Sequence, residues 1–175
     1  VFGEGPQDAR VVFIGEQPGD KEDREGHPFI GPAGRLLDKA LEEAGVDRSM
    51  VYVTNAVKHF KWEPRGKRRM HHTPNARDIA ACRPWLQAEL RSIQPALIVT
   101  LGATAARSVF EVPIRVTQER GAFRDSPYGK TLITIHPSAL LRKLPGFDFD
   151  AEFKKFVADL KKIPRMLAKS RPKNS

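Results

Sequence analysis

Apolar positions follow two rhythms along the chain. Arg10 to Gly15 (RVVFIG) is a short, β-branched apolar run that stops at a glycine. Val51 to Thr54 (VYVT), Ala96 to Leu101 (ALIVTL) and Thr131 to Ile135 (TLITI) repeat the form. Runs this short and this apolar predict strands buried on both faces. Between them the spacing lengthens to that of a helix. Leu36, Leu37, Ala40, Leu41 and Ala44 share one face before a stop at Gly45, and Ile79, Cys82, Leu86, Leu90 and Ile93 share another after a Thr73-Pro74 start. A short helix is expected from Gly102 through Phe110, and Phe149, Phe153, Phe156, Val157 and Leu160 mark a closing amphipathic one. Strand and helix alternate throughout. The expected fold is therefore α/β, a three-layer α/β/α sandwich around a central, mostly parallel four-stranded sheet.

No internal repeat or low-complexity block interrupts this pattern. Residues 1–168 are expected to form one domain, followed by a basic, flexible tail over 169–175. In open α/β sheets ligands sit beyond the carboxyl ends of the strands. The segments to inspect thus begin at Gly15, Thr54, Leu101 and Ile135.

Composition narrows the partners. The 175 residues carry 30 Lys and Arg against 21 Asp and Glu, a formal charge of +9. Such a surplus favours a polyanion, nucleic acid before anionic membrane, although a solvated basic face would give the same count. A single cysteine, Cys82, excludes an internal disulfide and any site built from four cysteines of this chain. No apolar run approaches the ~20 residues that span a bilayer, and nothing resembles a secretory signal. The expectation is a cytoplasmic monomer without membrane contact.

The loop after the first strand reads GEQPGDKEDREGHPFIG, residues 15 to 31. It lacks the lysine and spacing of a P-loop, which disfavours triphosphate binding. Glu16, just past the strand end, suits a group that activates water or opposes a cation; a solvated carboxylate is the plainer alternative. Phe29 is placed either to stack on a base or to plug the core. Asn55, at the tip of the second strand, offers an acceptor and a donor side by side, as reading a pyrimidine edge requires, or else closes an Asx turn. Lys58 to His72 is the most basic stretch, with six Lys or Arg against Glu63 and with Phe60 and Trp62 interleaved. Phosphate contacts and base stacking use that combination. His136 ends the fourth strand before Pro137, where an imidazole could stabilise charge on a ligand oxygen or simply bond to its own loop, and Ser138 is a candidate helix cap. Gly102 and the small residues after it permit close backbone approach.

Taken in order, GEQPGD, PFIGPAGRLL, TNAVKH, ACRPWL, LGATA and HPSALL resemble the uracil-DNA glycosylase superfamily, nearest its iron–sulfur branches, across nearly the whole chain. GKRRMH, residues 66 to 71, resembles the Lys-Arg-Arg-aliphatic-His loop of the UDGX type, with Met70 at the aliphatic position. The resemblance implies excision of uracil from DNA, preferably single-stranded, release of free uracil, and covalent attachment of the strand to a loop histidine in a single turnover. It assigns Glu16, His71 and His136 to catalysis, with His71 rather than His72 as the nucleophile. It assigns Gln17, Asp20, Phe29 and Asn55 to the substrate, and Lys67, Arg68 and Arg69 to the DNA. It implies a 4Fe–4S cluster in the full-length protein with His59 and Cys82 among its ligands, the other two being a cysteine pair expected upstream of Val1. On the residues alone Cys82 is equally a core thiol.

Three rivals remain on the sequence. A conventional uracil-DNA glycosylase would release a free abasic site. A non-catalytic nucleic-acid-binding domain would need none of Glu16, Asn55 and His136. A nucleotide-binding metabolic enzyme would need a phosphate-cradling glycine pattern that this chain lacks.

Overall fold

The computed structural model describes residues 1–170. In chain order the elements are β1 (Val11–Gly15), α1 (Asp20–Glu25), α2 (Pro32–Ala44), β2 (Val51–Asn55), β3 (Trp62–Arg65), β4 (Arg68–His71), α3 (Ala76–Ile93), β5 (Leu97–Leu101), α4 (Ala103–Phe110), α5 (Val116–Glu119), β6 (Phe123–Ser126), β7 (Gly129–Thr134), α6 (Phe149–Leu160) and α7 (Lys162–Lys169). One sheet has the order β2-β1-β5-β7-β6, parallel except for β6. The chain moves outward from β1 to β2, then returns to β5 and proceeds the other way. The order reverses between β1 and β5, and the crevice of a doubly wound sheet opens at that point.

Alternate side chains of the strands feed two cores. Val11, Phe13, Val53, Val99, Leu101 and Leu132 pack on one face with Leu37, Leu41, Phe156, Leu160 and Ile163 of the covering helices. Val12, Ile14, Tyr52 and Ile98 pack on the other with Leu86, Leu90, Ala105 and Val109. Each fully buried aliphatic or aromatic side chain among these stabilises the fold by ~1.5–3 kcal/mol. Both faces are covered, as the continuous apolar runs predict.

The central sheet has five strands, not the expected four. The extra one, β6, reads FRDS, with a single large apolar residue. It pairs antiparallel with β7 as an edge strand through the turn Pro127-Tyr128, and its exposed Arg124 and Asp125 carry the charge that edges tolerate. The basic stretch after β2 is not one open loop either. Its centre folds as a separate two-stranded hairpin, β3–β4, in which Trp62 faces His71 and Arg65 faces Arg68. Gly66, at φ +62, makes the two-residue turn with Lys67. Helix α3 begins later than Thr73-Pro74. Asn75 caps it, accepting from the Arg77 and Asp78 amides, while the Asp78 carboxylate accepts from the Asn75 N–H. At the C-terminal end Lys169 closes α7, and the Ser170 hydroxyl accepts from Arg10 at 2.8 Å. The rest of the expected tail lies outside the described residues. Among those residues no helix is long and apolar enough to cross a membrane.

Candidate active site

The crevice between the carboxyl ends of β1 and β5 holds a cleft of about 920 Å³, lined by residues of all four strand ends that the sequence singles out. Glu16, Asn55, Leu101 with Gly102, and Ile135 with His136 meet there, with Gln17, Asp20, Phe29 and His71. The β1–β2 ladder continues past the strands, as Ala56 N–H donates to Gly15 O and Val57 N–H to Glu16 O, both at 2.9 Å. The loop bearing Asn55 is thereby fixed to the loop bearing Glu16.

Gly15 forms the floor. A Cβ there would lie 2.5 Å from Asn55 Oδ1, 2.6 Å from Phe29 Cζ and 3.4 Å from His136 Nε2. Three side chains thus converge on one backbone position that carries no side chain of its own. The Phe29 ring stacks toward His136, with centroids 6.2 Å apart and planes 24° from parallel. Its backbone takes φ +54, a left-handed conformation that costs an L-residue ~1–2 kcal/mol. Gly34 makes room for it, because a Cβ at that position would sit 1.8 Å from Phe29 O. Glu22 closes the same loop by accepting the Gly31 N–H at 3.0 Å. The aromatic is half-buried, packing against the main core on one side and lining the cleft on the other.

His136 caps the 3₁₀ turn Pro137–Leu141, so the cap is the histidine and not Ser138. Ser138 N–H donates to His136 Nδ1 at 3.0 Å. That nitrogen must be unprotonated, which leaves the hydrogen on Nε2, aimed into the cleft. Loss of hydration pushes the His136 pKa down to about 4, against a smaller opposing pull from Glu16. At neutral pH the ring is an uncharged donor.

His71 Nε2 lies 2.7 Å from Glu16 Oε1, and Thr104 Oγ1 donates to Glu16 Oε2 at 2.7 Å. Burial works to raise the Glu16 carboxyl, but the hydrogen bonds from His71 and Thr104 outweigh it and hold the group below the ordinary carboxylate value. The same bond to Glu16 raises His71 above the usual histidine value. His72 makes no such contact; its amide donates to Lys61 O at 2.9 Å.

The hairpin that carries His71 is clamped at several points. The Gln17 amide donates to Lys61 O and His72 O at 3.2 and 3.3 Å and accepts the Lys61 N–H at 3.0 Å. Lys61 Nζ reaches Asp78 at 2.6 Å. The Arg69 guanidinium lies 5.2 and 5.4 Å from the ring centres of Phe60 and Trp62 and pairs with Asp20 at 2.5 Å and Asp23 at 2.8 Å. Arg69 and Asp20, expected on DNA and substrate respectively, thus bind each other across the loop, although Asp20 also lines the cleft. Arg65, Lys67 and Arg68 are exposed on the hairpin.

Lys58 leaves the exposed basic group altogether. It is 4% exposed and ion-paired with Glu89, and its Nζ donates to Thr54 Oγ1 at 2.6 Å and Asn55 O at 2.7 Å. Glu89 also accepts from the Tyr52 hydroxyl at 2.6 Å and the Gly3 N–H at 3.0 Å. Thr104, Lys58 and Glu89 support the cleft residues from behind; the sequence did not single out Thr104 or Glu89, and placed Lys58 only in the exposed basic stretch. LGATA marks the segment of Thr104, while nothing in the local pattern of Lys58 distinguishes it from its exposed basic neighbours.

His59 and Cys82 flank the Lys58 amide, whose N–H donates to Cys82 Sγ at 3.3 Å. Cys82 is buried with Val57 and Ile79, while His59 is exposed. A 4Fe–4S cluster takes four donors, and among the described residues no three His, Cys, Asp or Glu gather as a metal site. These residues do not by themselves fit such a cluster.

The sequence matches the uracil DNA glycosylase superfamily over residues 2–161. It is 44% identical to a type-4 uracil-DNA glycosylase of Thermotoga maritima over 144 residues, covering 81% of this chain and 71% of that one. A type-4 uracil-DNA glycosylase of Pyrobaculum aerophilum is 36% identical over 82% of this chain and 74% of its own. One from Archaeoglobus fulgidus is 33% identical over 98% and 84%.

Proposed function

The chain belongs to the uracil-DNA glycosylase superfamily, and from that premise we propose that it excises uracil from DNA, preferably single-stranded, and then keeps the strand on His71. The observation that carries the second half is the 2.7 Å contact between His71 Nε2 and Glu16 Oε1 at the mouth of the cleft. An imidazole there occupies the side of Glu16 from which a carboxylate would otherwise direct water.

The chemistry follows from the site. A flipped uracil stacks on Phe29, lies over Gly15 and presents its edge to the Asn55 amide. Flipping costs least in a single strand, where no pair is broken. As the N1–C1′ bond breaks, its electron pair leaves with uracil, and the sugar becomes oxocarbenium-like. The Nε2–H of neutral His136 stabilises the departing anion. The neutral His71 ring supplies a nitrogen lone pair to C1′, forming the new C–N bond. Its remaining ring proton passes to Glu16 and then to solvent, and uracil takes up one proton. Proximity gives the histidine its advantage over water, an effect worth ~7–11 kcal/mol in well-oriented systems. An N-alkyl histidine has no good leaving route, so the turnover is single.

A short uracil-containing single strand mixed with the protein, boiled and run on a denaturing gel beside a thymine control, tests both halves. A uracil-dependent band that survives SDS, and is lost in His71→Ser, supports capture. A free strand that breaks in hot alkali retains glycosylase activity and removes the covalent step. An intact strand overturns the reading.

A further inference from the structure

We infer that Thr104 is a positioning residue for this reaction, its hydroxyl fixing one oxygen of Glu16 so that the other meets His71. The inference rests on the proposed role of His71 and deepens it. The carboxylate of Glu16 has two oxygens and a soft terminal torsion. Each oxygen has one partner at the same distance, Thr104 Oγ1 at 2.7 Å and His71 Nε2 at 2.7 Å. With one partner alone the group could turn about its own axis and still keep its bond. With two, on opposite sides, its plane is set.

The two supports differ in kind. His71 sits on the β3–β4 hairpin, whose ties to the domain are side-chain clamps. Thr104 is the second residue of α4, directly after β5, and β5 is the parallel neighbour of β1, which delivers Glu16. Thr104 and Glu16 therefore hang from adjacent strands of the rigid sheet, and their relative position is settled by strand pairing. The Thr104 hydroxyl is not spent on capping its own helix, since Gly102 is the N-cap of α4 and no side chain caps it. The other titratable group facing Glu16, His136, makes no hydrogen bond to it and is held by Ser138. Thr104 is thus the one hydrogen-bond partner of the Glu16 carboxylate, among the described residues, that is mounted on the main sheet.

The test compares Thr104→Val, which keeps shape and loses the hydroxyl, with Thr104→Ser, which keeps the hydroxyl and loses the methyl. Thermal melting first confirms that both are folded. In single-turnover reactions with a uracil strand, Thr104→Val is expected to be slower on the order of 10-fold at saturating DNA, with half-saturation unchanged, as expected when a reacting group is misplaced but binding is intact. Thr104→Ser stays within about two-fold of the parent, since the bond is retained. Independently of activity, the NMR titration of His71 in Thr104→Val should move down toward the ordinary histidine value, because the carboxylate that raises it is no longer held in place. A parental rate in Thr104→Val, an unmoved His71 titration, or a Thr104→Ser as slow as Thr104→Val would each overturn the inference. If the parent protein neither releases uracil nor captures DNA, the proposed function falls, and the His71 titration alone decides the role of Thr104.

Discussion

Lys58 Nζ donates to the backbone carbonyl of Asn55 at 2.7 Å from inside the protein, so the residue expected to read the base is anchored by a buried cation. Burial acts to lower the Lys58 pKa and the Glu89 carboxylate acts to raise it, with burial the larger influence. Removing one member of such a pair leaves the other charge unpaired in the core, at a cost of ~3–5 kcal/mol. Lys58→Met should therefore lower the melting temperature by roughly 10 °C in a domain of this size. The double variant Lys58→Met with Glu89→Gln should recover much of that loss. Equal melting of parent and Lys58→Met would show that the pair contributes no net stability.

The proposed capture should depend on pH through His71. Attack needs the neutral ring, and the bond to Glu16 raises its pKa above the ordinary value of about 6.5. The capture rate should rise with pH through a midpoint above about 6.5 and fall below it, as the ring takes up a proton. Glu16→Gln removes the anion, so the same midpoint should move to lower pH while the plateau rate drops. A midpoint that stays put in Glu16→Gln would separate the ionisation from this pair. His136, already neutral above about 4, should contribute no transition in the working range.

Gly15→Ala tests the floor of the slot. The added methyl would meet Asn55 Oδ1 at 2.5 Å and Phe29 Cζ at 2.6 Å, so the slot must narrow or its walls must move. Overpacking of this kind costs stability by ~1–3 kcal/mol, a minor effect beside the loss of room for a base. Excision and inhibition by free uracil should both fall by on the order of 100-fold, as a misplaced base predicts. Normal inhibition by uracil in this variant would place the base elsewhere.

Arg69→Ala tests the hairpin clamp. It removes two ion pairs and the guanidinium's contacts with the Phe60 and Trp62 rings, and backbone amides of residues 62–71 should exchange faster with deuterium. Capture should slow by on the order of 10-fold or more as His71 loses its fixed placement. Arg69→Lys should be intermediate, because an ammonium keeps the charge but not the planar fork. Unaltered exchange would mean that the contacts at Gln17, Asp78 and Glu16 suffice to hold the ribbon.

Most of this arrangement is legible in the sequence where burial is complete. The runs at β1, β2, β5 and β7 are apolar on both faces, and α2, α3, α4 and α6 carry stripes at helical spacing, so periodicity identifies each. β6 escapes because FRDS has a single large apolar residue, and β3–β4 because WEPR and RRMH bury neither face of a strand. Glu16, Asn55 and His136 stand out as polar residues at strand ends. Their supports do not. Lys58 looks like its exposed neighbours until tertiary packing brings Glu89 to it from α3, and the engagement of Asp20 with Arg69 joins residues whose spacing carries no local signal. Contacts made by distant segments leave no periodic trace.

The β3–β4 ribbon pairs with no strand of the main sheet; Arg69 and His71 tie it to Asp20, Asp23, Phe60 and Glu16, while Gln17 and Asp78 hold the flanking residues Lys61 and His72. The slot made by Gly15, Phe29, Asn55 and His136 draws none of its four residues from 62–71. In the proposed reaction, base recognition and leaving-group stabilisation are thus built into the scaffold, and the ribbon adds only His71 across its mouth. On the proposed function, a chain with the same floor and a different ribbon should select the same base and differ in what becomes of the strand.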